Sequence, residues 1–118
     1  PCVHRCVRLC HGAAVLLPTQ DTAIRRSLDG WFEKFGIRPA VVGEFEDHAL
    51  LREFGRLGSG AFPVPMVLEH QFRRQLGVAR IGVAVGARSH FYAISVERRI
   101  KHAAVVAICD TARREIFA

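Results

Sequence analysis

Acidic side chains crowd one short stretch of the chain, Glu44, Glu46 and Asp47, with His48 directly after them. In an extended strand Glu44 and Glu46 share one face, where a carboxylate pair could hold a hard cation or divide acid and base roles. The same residues also make a solvated strand end, with Asp47 placed to cap a helix by accepting from an orphan N–H of its first turn. His48 could titrate near neutrality or contact an anion, or lie on the surface with no task.

A second cluster opens the chain, where Cys2, Cys6 and Cys10 stand a helical turn apart with His11 beside the last. Three thiols and an imidazole suggest a metal or cluster site, but zinc sites pair their ligands at closer spacing. The same cysteines would serve as a small apolar helix face, or belong to a segment foreign to the domain that follows. Cys109 stands far off in sequence and reads as a buried thiol. Ser59 lies between Gly58 and Gly60, which is not the G-x-S-x-G spacing of a hydrolase elbow. Those glycines follow a helix pattern and not a strand, so they make no dinucleotide fingerprint. No catalytic constellation forms, and the chain is read as a non-enzyme with no cofactor and no metal beyond the cation candidates Glu44, Glu46 and Asp47.

The elements that must position these residues are legible. Residues 13–17 form a continuous apolar run, as in a strand buried on both faces of a parallel sheet, and Pro18 ends it. Thr19, Gln20 and Asp21 offer capping oxygens to a helix whose stripe is Ile24, Leu28, Trp31, Phe32 and Phe35, closed by Gly36. Residues 40–45 read as the next strand. Leu50, Leu51, Phe54 and Leu57 recur at helical spacing after Asp47, and Gly58 stops that helix. Residues 60–62 resume an extended path that Pro63 and Pro65 cut short. Strand, helix and strand make a βαβ unit, with ligands expected outside the carboxyl ends of the strands, near Thr19, Glu46, Asp47, His48, Phe62 and Pro63. Further on, a helix is predicted over residues 66–76 with Gly77 as its stop. Residues 78–83 read as a short strand or irregular chain, 91–96 as a strand, 98–101 as a basic turn and 102–116 as a closing helix.

With 118 residues, 50% hydrophobic and 24% charged, the chain is sized and composed for one globular domain. No apolar run is long enough to span a bilayer. The formal charge of +6 invites a nucleic-acid reading. Its basic residues, however, are mostly arginine pairs (Arg25 and Arg26, Arg73 and Arg74, Arg98 and Arg99, Arg113 and Arg114) mixed with acids, with no stacking motif. They read as a solvated surface.

The run ALLREFGRLGSGAFPVP resembles the glycine signature of the effector-binding domain of LysR-type transcriptional regulators. LLPTQDTAIRRSLDGWFEKFGIRP, VVGEFEDHALL and FYAISVERRIKH resemble the branch of that family that regulates sodium/proton antiporter genes. The resemblance covers nearly the whole chain and leaves 1–12 as an unassigned Cys-rich segment, with 13–118 as a partial effector-binding domain. It implies an α/β fold, one lobe of a periplasmic-binding-protein-like type II domain, a mostly parallel sheet flanked by helices. It implies a small-molecule or ion effector held by Glu46, Asp47 and His48, with Thr19 and Gln20, and flanked by Phe62 and Pro63. The chain is then expected to be a fragment of a cytoplasmic homo-oligomeric regulator of an antiporter or ion-stress gene. Promoter DNA would be reached only through an N-terminal domain that the fragment lacks, and no membrane is involved. A solute-binding lobe of a transporter and a truncated remnant with no function of its own are the competing readings.

Overall fold

A computed structural model describes residues 10–89 and 103–116. Strand β1 (Ala14–Pro18) is followed by helix α1 (Ala23–Lys34), strand β2 (Ala40–Phe45) and helix α2 (His48–Arg56). A turn of 3-10 helix (Met66–Leu68) leads into α3 (Glu69–Leu76), and α4 (Ala103–Thr111) ends in a π-helical turn (Ala112–Ile116). The protein is therefore mixed α/β with a small parallel sheet.

β1 is the hub. It pairs in parallel with β2, and on its other side Val15 makes a single parallel bridge to Ala61. The extended segment expected at 60–62 is reduced to that bridge, closed by Ala61 N–H to the Ala14 carbonyl at 3.0 Å and Leu16 N–H to the Ala61 carbonyl at 2.8 Å. Pro63 and Pro65 cannot donate to a ladder, which explains why pairing stops there. Val15, Leu16 and Leu17 are buried, as a continuous apolar run between two layers requires.

The pairing of β1 with β2 is not regular. Val15 stands opposite Val41, but Leu16 stands opposite Gly43, so Val42 is the extra residue of a β-bulge. Paired residues share a face of the sheet. Val15 and Leu17 pack on Leu28, Ile24 and Phe32 of α1, and Glu44, opposite Leu17, therefore lies on the α1 side. Leu16, Gly43 and Phe45 lie on the other side, where Phe45 stacks on Phe54 of α2 with ring centroids 5.3 Å apart.

Helix ends follow local chemistry. The cap of α1 is Thr22, whose hydroxyl accepts from the Arg25 N–H at 3.3 Å, displacing the cap expected at residues 19–21. Asp47 caps α2, and Gly77 ends α3 in the left-handed conformation with φ of 64°. Residues 78–83 are irregular, and the chain beyond them brings Ala84 and Ala87 against α1.

Cys10 is buried against Trp31 and Ile37, the Gly12 N–H donates to the Arg38 carbonyl at 3.0 Å, and His11 Nδ1 accepts from the Arg38 N–H. Residues 10–12 are thus tied to the domain. Cys2 and Cys6, the strand expected at 91–96 and the basic turn at 98–101 lie outside the described residues. α4 is apolar from Ala103 to Cys109 yet has no buried residue among those described, and Cys109 is only half-buried. No helix among the described residues is long and apolar enough to cross a membrane.

Candidate functional site

Two chain reversals meet at the carboxyl edge of the sheet, the loop after β1 and the loop after β2. They are joined directly, because the Thr19 N–H donates to the Phe45 carbonyl at 3.1 Å. Thr19 Oγ1 donates to Asp21 Oδ1 at 2.7 Å, and the Thr19 carbonyl accepts from the Thr22 hydroxyl at 2.8 Å. Gln20 is exposed beside it. On the second loop Asp47 Oδ1 accepts from the Ala49 N–H at 2.8 Å, and Glu46 and His48 are exposed. Thr19, Gln20, Glu46, Asp47 and His48 therefore share one rim, with the amino ends of α1 and α2 facing it.

Phe62 lies back from that rim. Ala61 is level with Val15, well short of the end of β1, so Phe62 runs beside the middle of the strand. Its ring lies against Gly55 of α2, where a β-carbon on the glycine would fall 2.2 Å from Phe62 Cδ1. Phe62 and Pro63 are both half-buried.

The cation candidates Glu44, Glu46 and Asp47 do not converge, and no group of three His, Cys, Asp or Glu among the described residues could hold a metal ion. The bulge is the reason. It turns Glu44 to the α1 side, where its Oε2 accepts from Arg25 Nη1 at 3.1 Å, while the Asp47 carboxylate is committed to its cap. Glu46 has no hydrogen bond or ion pair among the described residues.

Arg25 is the site residue that the sequence pattern hid, because its pairing with Arg26 reads as surface charge. It is 6% exposed, the one buried charged residue of those described. Its Nη1 also donates to the Pro18 carbonyl at 2.9 Å, and its Nε donates to Asp29 Oδ1 at 2.9 Å. Burial alone would favour the neutral guanidine. The hydrogen bond and charge of Asp29, then those of Glu44, more than offset it and hold Arg25 above its ordinary value. The signal available in sequence was the i, i+4 spacing of Arg25 and Asp29.

A separate open groove of about 410 Å³ lies toward the opposite end of α1, its lining including Leu17, Asp29, Phe32, Ile37, Arg38 and Val41. It contains none of the rim residues of the sheet edge.

The chain is similar to a LysR-type transcriptional activator. Over 103 residues, 87% of its length, it is 32% identical to the transcriptional activator protein NhaR of Escherichia coli (strain K12), and equally to that of Shigella flexneri. The matched stretch is 34% of each relative, so the chain spans about a third of the length of the curated relatives it matches. No family model matches the chain, and no solved structure matches it.

Proposed function

We propose that the chain is the effector-sensing part of a LysR-type transcriptional regulator, one lobe of a periplasmic-binding-protein-like type II domain. The observation that carries this is the similarity to NhaR over 87% of the chain. The joined loops at the sheet edge support it, since they gather Thr19, Gln20, Glu46, Asp47 and His48 where such a fold takes ligands. The regulator works in the cytoplasm as a homo-oligomer, reaches promoter DNA through a domain outside this chain, and controls a sodium/proton antiporter or ion-stress gene. The effector is a small molecule or an ion. It shifts a population between two states and does not undergo reaction.

For a cation signal, Glu46 is the rim carboxylate with no other commitment, and Glu44 joins only if it leaves Arg25. The test is a comparison of sodium with potassium at equal ionic strength on the whole regulator, reading thermal stability and promoter binding. Sodium should shift both. A response identical for the two salts would overturn the cation reading.

A further inference from the structure

We propose that Arg25 is the positioning residue of the sheet edge, holding the loop that starts at Thr19 against the loop that carries Glu46, Asp47 and His48. The inference rests on the effector reading only for what that edge binds.

One peptide plane carries it. The Pro18 carbonyl and the Thr19 N–H belong to the same planar unit. Its carbonyl accepts from Arg25 Nη1 at 2.9 Å, and its N–H donates to the Phe45 carbonyl at 3.1 Å. The plane is thus fixed at both ends where the chain leaves β1. The same Nη1 reaches Glu44 Oε2 at 3.1 Å on the neighbouring strand, so a single nitrogen spans the ends of β1 and β2. Nε is fixed in turn by Asp29 one helical turn along α1. Arg25 therefore refers both loops to the rigid helix beneath them.

A buried guanidinium is a poor device for stability alone, because a well-packed apolar side chain of similar volume often does as well. What an apolar side chain could not do is fix the rotation of the Pro18–Thr19 peptide. A lysine would place one ammonium there but lacks the planar fork that engages three acceptors at once. Asp29 and Glu44 have side chains 52% and 42% exposed, so water can take them if Arg25 is removed. The buried peptide plane has no such substitute.

The test is amide hydrogen exchange on the protein with Arg25→Met. Removing a charge-assisted bond from one end of the plane should accelerate exchange of the Thr19 amide by roughly tenfold or more. The Leu16 and Ala61 amides, bonded across the other side of β1, serve as internal references and should stay within about twofold. Equal acceleration of all three would reduce Arg25 to a general stabiliser and overturn the proposal, as would an unchanged Thr19 amide. If Arg25→Met does not fold, Glu44→Gln removes one charged acceptor at the surface, and it should give the same selective pattern at smaller amplitude. The sodium comparison bears on the effector reading alone, so its failure leaves the exchange result standing.

Discussion

The ring of Phe62 occupies the space beside Gly55, so close that a β-carbon on the glycine would sit 2.2 Å from Cδ1 and 2.3 Å from Cε1. Glycine inside a helix ordinarily costs about 1 kcal/mol against alanine. Here the sign reverses. Gly55→Ala should destabilise by about 1–3 kcal/mol through overpacking, read as a lower urea midpoint at unchanged slope. Phe62→Leu in the same chain should recover part of the loss, and a stabilising Gly55→Ala would refute the contact.

Asp47 gives a second prediction. Its carboxylate satisfies the Ala49 N–H at the start of α2. Asp47→Ala should cost about 1 kcal/mol, and Asp47→Asn, which keeps a capping oxygen, much less. Equal losses in thermal unfolding would show that charge, not capping, is what Asp47 contributes.

The indole of Trp31 is buried, and its Nε1 has no hydrogen-bond partner among the described residues. An orphaned buried donor costs about 1–3 kcal/mol, which Trp31→Phe removes while leaving a smaller ring in place. The two effects oppose each other, and Trp31→Phe should fall within about 1 kcal/mol of the parent. Trp31→Ala, with no such offset, should lose about 3–5 kcal/mol. Trp31 is the sole tryptophan, so unfolding of both variants must be followed by circular dichroism.

Acid should weaken one exposed pair on α2 in a defined direction. Arg56 donates to both carboxylate oxygens of Glu53, and that hydrogen bond is the main reason the Glu53 carboxyl is held below its ordinary value. A depressed folded-state value means that the contribution is complete above the ordinary glutamate range and is lost as pH falls through the lowered one. The stability difference between the parent and Glu53→Gln should therefore shrink toward zero on acidification. A difference that stays constant down to acid pH would contradict the pair.

Local signals were readable in the sequence. The apolar run of β1, the stripe from Ile24 to Phe35, the Asp47 cap and the Gly77 stop all stand where pattern and capping chemistry put them. What escaped was decided by pairing between distant residues. Arg25 looked like half of a surface pair until Glu44 and the Pro18 carbonyl were folded against it. Phe62 looked like a rim residue until the level of Ala61 against Val15 set it back under α2. Cys10 looked detached until Trp31 and Ile37 closed over it. The rim itself was half legible: the two loops were placed at one edge by the parallel pattern, but the Thr19–Phe45 bond that joins them has no sequence signature.

The extra residue Val42 has a consequence for comparing this strand with its relatives. The bulge resets the alternation of faces between Val41 and Gly43, so flattening it with Val42 taken into the ladder would rotate everything downstream by half a period. With Val42 opposite Leu16, Glu44 would stand opposite Pro18 and exchange sides with Phe45, taking its carboxylate out of reach of Arg25 and setting an aromatic ring against α1. A related chain of equal length with a straight strand here would carry the same letters with inverted meaning, whereas one lacking only the bulged residue would keep Glu44 opposite Leu17. Homologous positions at this edge are therefore defined by counting from the kink, and percentage identity alone will misplace them.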